Sequence, residues 1–112
     1  MELSVQDRLV ILDLLPREGN ILTLRIVRQL REDLSFSEEE YKSLGIQEQD
    51  GMIRWDRSKE ELKNVSLGDV ASGIIRSQLA KLEEKGKLLE SHIPLYELFV
   101  EDIKPSQQNG KG

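Results

Sequence analysis

Few side chains in this 112-residue sequence could do chemistry, and their spacing supports no catalytic site. His92 is the only imidazole, and no serine or carboxylate stands with it in a nucleophile pattern. We therefore interpret His92 as a surface residue in the first turn of a helix. The absence of cysteine excludes thiolate catalysis, disulfides and cysteine-bound zinc. The sequence predicts a protein that is not an enzyme and that binds no cofactor.

Three consecutive glutamates, Glu38 to Glu40, are the densest group of candidate metal ligands. Consecutive residues on a helix fan out over roughly 200°, so these carboxylates do not converge on one ion. Ser37 precedes them, and the Ser-x-x-Glu spacing is typical of a capping box at a helix N-terminus. Carboxylates there also face the positive end of the helix dipole. We expect a helix cap at this position and no metal site.

The elements that must position any site are mainly helical, because apolar residues recur at steps of three and four. Five helices are predicted, at residues 3–15, 21–34, 38–44, 66–86 and 92–103. The longest is expected to begin with a capping box of Ser66 and Asp69 and to stop at Gly86. Gly68 and Gly73 within it predict irregular first turns or another backbone packed closely there. For the last helix, Ser91 is the expected cap and Pro94 falls in the first turn.

Asp50 and Gly51 predict a β-hairpin between residues 46 and 56, since both tolerate the positive φ of a type I′ turn. A lone hairpin is marginal in water, so we expect it to lie against the helices through Ile46, Ile53 or Trp55. The polar run at residues 56–64 is interpreted as a loop or a frayed helical turn.

The predicted fold is mainly α, within the α+β class: four to five helices packed as a small bundle, with one hairpin inserted near residues 46–56. A single domain is expected over residues 1–104, followed by a disordered tail at 105–112. No window approaches the roughly 18 apolar residues of a membrane span, and the N-terminus lacks the pattern of a signal peptide. These features predict a cytoplasmic protein that does not bind membranes.

Charge is unevenly distributed along the chain. The net charge is −5, and residues 32–50 hold seven acidic residues against Lys42 alone. Aromatic residues beside charge are typical of contact sites, so the candidate interaction surface is Glu38, Glu39, Glu40, Tyr41 and Trp55. For Trp55 itself, the favoured interpretation is that it anchors the hairpin. The favoured function is that of a small interaction or accessory protein that binds another protein or, as a homo-oligomer, a second copy of itself.

Nucleic-acid binding is the alternative function. The segment Ile75–Leu88 resembles the recognition helix and following turn of winged-helix regulators, which often show a Leu-x-x-Leu-Glu-x-x-Gly pattern, matched here from Leu79 to Gly86. A nucleic-acid-binding module would use either Arg25, Arg28 and Arg31 of the second predicted helix or Arg76 and Lys81 of the fourth. Charges between residues 66 and 90 cancel, and a helix is predicted where that family has an apolar strand and a basic wing.

A second resemblance spans residues 5–101. It rests on the order of the Leu15-Pro16-Arg17-Glu18-Gly19-Asn20 turn, the helix after it, the Ser35-to-Glu40 segment, the Ile53-Arg54-Trp55 strand and the segment from Lys87 to Phe99. This order is similar to that of small uncharacterised proteins encoded by bacteriophages and prophages. The resemblance implies a viral setting and carries no catalytic residue.

Overall fold

The computed structural model describes residues 1–101. In chain order the elements are β1 (Glu2–Leu3), α1 (Val5–Leu14), α2 (Ile21–Leu34), α3 (Glu38–Leu44), β2 (Gln47–Gln49), β3 (Met52–Arg54), a 3₁₀ turn (Arg57–Lys59), β4 (Lys63–Asn64), α4 (Asp69–Glu84), a second 3₁₀ turn (Glu90–His92) and α5 (Ile93–Phe99). The predicted fold class is confirmed: five helices carry most of the structure, with a hairpin after the third. The last helix ends at Phe99, earlier than the predicted end at residue 103, with residues 100 and 101 in a turn and a bend. The predicted tail lies outside the described residues.

The core lies where α1, α2, α4 and α5 meet, and it is almost entirely aliphatic. The helical residues buried in it are Ile11 and Leu14 of α1, Val27, Leu30 and Leu34 of α2, Ala71, Ile75 and Leu79 of α4, and Leu95 and Phe99 of α5. Full burial of one such large side chain contributes about 1.5–3 kcal/mol. The bounds predicted for α2 are confirmed, with Asn20 accepting a hydrogen bond from the backbone N–H of Thr23 as its N-cap.

The first helix begins later than predicted, because Leu3 belongs to a strand. Antiparallel pairing of β1 with β4 sets Leu3 opposite Lys63. Ser4 is the N-cap of α1: its hydroxyl accepts a hydrogen bond from the N–H of Asp7, whose carboxylate accepts one from the N–H of Ser4. The strand β4 lies in the run interpreted as a loop or a frayed turn. Strands of two residues carry no alternation that a sequence pattern could reveal.

The hairpin has the predicted turn, since Asp50 and Gly51 both have positive φ, at 52° and 76°. Of the three residues proposed to hold it against the helices, Ile46 and Trp55, at its base, are half-buried, whereas Ile53 is exposed. Every residue of β2 and β3 is exposed. The hairpin thus extends from the end of α3, where the N–H of Asp56 donates to the carbonyl of Leu44 at 2.8 Å.

The long helix α4 also begins later than predicted, and the capping box of Ser66 and Asp69 does not form. The N-cap is Gly68, which makes no side-chain hydrogen bond. The β1–β4 pairing continues to Val65, whose N–H donates to the carbonyl of Met1, so the chain is still extended at that point. The predicted stop is confirmed by Gly86, which has a φ of 66°.

The chain after α4 turns through the second 3₁₀ turn into α5. Pro94 lies in the first turn of α5 as predicted, whereas the N-cap is His92 and not Ser91. The prediction that His92 lies at the surface was wrong, since only 6% of it is exposed. Its Nδ1 accepts a hydrogen bond from the N–H of Leu89 at 2.8 Å, which draws the ring back over its own turn.

Gly73 lies inside the continuous helix α4, so irregular first turns do not explain it. A Cβ added at Gly73 would meet nothing within 4 Å, so within residues 1–101 no closely packed backbone explains it either. Glycine inside a helix costs about 1 kcal/mol relative to alanine.

The variant Gly73→Ala is therefore expected to raise the free energy of unfolding by about 0.5–1 kcal/mol, because it restricts the unfolded chain without a clash. Gly86→Ala is the matched control and is expected to lower it, because an alanine is strained at the φ of 66° found there. Urea unfolding followed by circular dichroism measures both. A loss of stability in Gly73→Ala would show that the glycine is needed within the fold.

Candidate interaction surface

Helix α3 is built as the sequence predicts. The hydroxyl of Ser37 accepts a hydrogen bond from the N–H of Glu40, and the Glu40 carboxylate accepts one from the N–H of Ser37, at 3.1 and 3.0 Å. Gly45 closes the helix with a φ of 63°. The rings of Phe36 and Tyr41 meet edge to face with their centroids 6.2 Å apart. This contact positions Tyr41, which nevertheless remains 49% exposed.

Glu40 differs from its two neighbours because it forms an ion pair with a buried arginine. Arg8 is only 2% exposed, and its Nη1 and Nη2 lie 2.6 and 3.2 Å from the two carboxylate oxygens of Glu40. The same guanidinium donates from Nε to the carbonyl of Leu34 at 3.1 Å and from Nη2 to that of Ser35 at 2.7 Å. Its Cζ lies 3.9 Å from the centroid of the Phe36 ring. Glu40 therefore joins α3 to α1 and the end of α2.

The ion pair changes the acidity of Glu40. Hydrogen bonding from Arg8 is the largest effect and lowers the pKa of Glu40 from 4.5 to about 2, although burial opposes the shift. The hydrogen bond from the Ser37 N–H and the charges of Arg8 and Lys63 add to the lowering. Lys63 is the more distant cation, with its Nζ 3.9 Å from the carboxylate. The ionised form of Glu40 is thus the form that the fold stabilises.

Trp55 is held at the base of the hairpin by a second glutamate. Its Nε1 donates to Oε1 of Glu60 at 2.9 Å, and the guanidinium of Arg57 lies 4.6 Å from the centroid of its ring. The other oxygen of Glu60 accepts the N–H of Val5, the first residue of α1, at 2.8 Å. Trp55 thus connects the hairpin to the start of α1 through Glu60. Sequence reasoning overlooked Glu60 because the polar run around it carried no pattern.

The predicted surface therefore separates into exposed and supporting residues. Glu38, Glu39 and Tyr41 are exposed on α3, whereas Glu40 is bound to Arg8 and Trp55 is half-buried. The hairpin adds Met52 and Ile53, 61% and 41% exposed, which sequence reasoning did not select as contact residues. Their apolar character next to the Asp50-Gly51 turn was the available signal. We use the name α3–hairpin surface for Glu38, Glu39, Tyr41, Met52 and Ile53.

The basic residues predicted as alternative nucleic-acid contacts lie on two helices and differ in their surroundings. Arg25 and Arg28 are exposed on α2, and Arg31 on the same helix is half-buried. Arg76 and Lys81 are exposed on α4, but Nε of Arg76 donates to the carbonyl of Phe99 at 2.9 Å, at the end of α5. Arg76 therefore has a structural contact, and the element that follows α4 is helical rather than the strand and wing of winged-helix regulators.

Comparisons with known proteins give no relative: no protein-family model, no curated protein and no solved structure matches this chain. Within residues 1–101, none of the helices combines the length and the apolar composition that crossing a bilayer requires.

The lowered pKa of Glu40 predicts a specific loss of stability in acid. A carboxylate with a lowered pKa in the folded state stabilises the fold above its unfolded pKa of about 4.5, and this stabilisation is lost as the pH falls towards 2. We expect Glu40→Gln to be clearly less stable than the wild type at pH 7, and this difference to shrink progressively below pH 4.5. Urea unfolding midpoints of both proteins at several pH values measure it. A stability difference between the two proteins that does not change with pH would contradict the lowered pKa of Glu40.

The two hydrogen bonds that Glu60 accepts predict that Glu60 contributes more to the free energy of unfolding than its neighbour Glu61. Glu60→Ala leaves the N–H of Val5 and Nε1 of Trp55 without their acceptor, so the expected loss is about 1–3 kcal/mol. Glu61→Ala, at an exposed neighbour, is expected to change the free energy of unfolding by less than about 0.5 kcal/mol. Urea unfolding followed by the fluorescence of Trp55, the only tryptophan, measures both. Equal losses in the two variants would exclude a special role for Glu60.

Proposed function

We propose that this protein is a small, non-enzymatic accessory protein that binds a protein partner through the α3–hairpin surface. The observation that carries the proposal is the exposure of Tyr41 and Met52, whose side chains are about half and three-fifths accessible, on elements that also carry exposed carboxylates. Tyrosine and methionine are enriched at protein interfaces. Removal of their apolar area from water by a partner is favourable. Glu38 and Glu39 form no ion pair within residues 1–101.

The charge of the region indicates what kind of partner fits. Residues 37–61, which include α3, the hairpin and the following turn, hold eight acidic and four basic residues, which is most of the net charge of the chain. A partner with basic side chains around an apolar contact complements this surface and is steered to it over long range. Glu40 and Trp55, predicted as contact residues, support the surface from within: one ties α3 to α1, and the other ties the hairpin to α1.

The proposal includes a cytoplasmic, phage-encoded setting, which rests on the resemblance to small phage proteins described above. A second copy of the chain is a further candidate occupant of the surface, since exposed apolar side chains serve self-association as readily as binding to another protein.

Affinity capture with the tagged protein from a bacterial lysate, with and without nuclease, tests the proposal. We expect a discrete protein to be retained after nuclease treatment by the wild type and lost with Tyr41→Ala/Met52→Ser, because these changes remove the two most exposed anchors. The control Leu89→Ser/Ile93→Ser removes exposed apolar side chains elsewhere and is expected to keep the partner. Equal loss in both double variants, or retention only while nucleic acid is intact, would contradict the proposal.

A further inference from the structure

The first half of α2 carries a second exposed surface, of opposite charge. Ile21, Leu24, Arg25 and Arg28 are spaced i, i+3, i+4 and i+7, which places them on one side of the helix. Together they line an open depression of about 380 Å³. We call these four residues the Ile21–Arg28 face.

Within residues 1–101, this face lies outside the hydrophobic core. Ile21 is 65% exposed, whereas the buried residues of α2 begin only at Val27. Arg25 and Arg28 are exposed and form no ion pair within residues 1–101. Glu32, one turn beyond Arg28, is exposed and forms no ion pair with it. In the described part of the chain, the two guanidinium groups therefore have no ion-pair partner.

The composition of the face specifies its ligand. Guanidinium groups pair with carboxylates through two parallel hydrogen bonds, and such charge-assisted pairs are stronger than neutral ones. Ile21 and the half-buried Leu24 offer apolar area beside the two cations, and no acidic residue lines the depression. We propose that the Ile21–Arg28 face binds an acidic, amphipathic segment of a protein partner, whose apolar side chains cover Ile21 and Leu24 while its carboxylates pair with Arg25 and Arg28.

Nucleic acid fits this face less well, although the same arginines were its sequence candidates. A phosphate backbone would pair with Arg25 and Arg28 but would leave the exposed Ile21 uncovered. Tight phosphate binding also needs several clustered cations, and Arg31, one turn further along, is already half-buried. The net charge of −5 opposes a polyanion more strongly than it opposes a short acidic segment.

Fluorescence anisotropy with designed probes tests this inference on the full chain. The main probe is a short labelled helix of leucine and glutamate, with the leucines on one face and glutamates flanking them. Three comparison probes are the same peptide with serine for leucine, the same peptide with lysine for glutamate, and a short DNA duplex. The protein variants are Arg25→Glu/Arg28→Glu, Ile21→Ser and the control Lys85→Glu/Lys87→Glu. The control makes the same change in net charge at two exposed lysines that do not line the depression.

We expect the leucine–glutamate helix to bind the wild type and the lysine control alike. The arginine reversal is expected to weaken binding about tenfold or more, and Ile21→Ser to weaken it severalfold, with circular dichroism showing all variants folded. Several results would overturn the inference: no binding of the main probe, equal binding of the serine or lysine peptide, equal loss in the lysine control, or displacement of the peptide by the DNA. Analytical sedimentation of the protein without peptide gives a further test. Self-association that the arginine reversal abolishes would show that the face binds a second copy of the chain, and this result would also overturn the inference.

Discussion

The buried guanidinium of Arg8 is the interaction on which the arrangement of the first three helices depends. Only 2% of Arg8 is exposed, and the guanidinium donates hydrogen bonds to the carbonyls of Leu34 and Ser35 and to the carboxylate of Glu40. A buried charge without such partners costs several kcal/mol. The alignment of α1 with the end of α2 and the start of α3 is therefore specified by the need to satisfy one cation, rather than by apolar packing alone.

A similar constraint acts at the start of α1. Glu60 accepts from both Val5 and Trp55, and β1 pairs with β4, so the start of α1 is joined to the segment after the hairpin by several polar contacts. These contacts hold α3 and the hairpin next to the helical core even though the hairpin strands contribute no buried side chain to it. The proposed contact surface is thus rigidly supported at its base and exposed at its tip, which is an arrangement suited to binding without large loss of conformational entropy.

The features that could be predicted from the sequence are those whose interacting residues lie close together along the chain. The bounds of α2, the capping box at Ser37, the Gly45 stop and the Asp50-Gly51 turn were all predictable, because each depends on residues within a few positions. The roles of Arg8 and Glu60 were not, since their partners lie 32 and 55 positions away. Helical periodicity cannot distinguish a solvated arginine from one buried in an ion pair. The same limit explains the missed strand β4, whose partner β1 lies about 60 positions away.

The distant cap on α1 has a consequence for how the chain acquires its structure during synthesis. The N–H of Val5 finds its acceptor only when Glu60 is present, and Leu3 finds its pairing partner only at Lys63. A nascent chain that has left the ribosome as far as the hairpin therefore holds α1 and α2 with their apolar sides formed but not yet enclosed by α4 and α5. The core of the amino-terminal half is completed only after translation of the carboxyl-terminal half, and until then its apolar side chains are unprotected from aggregation.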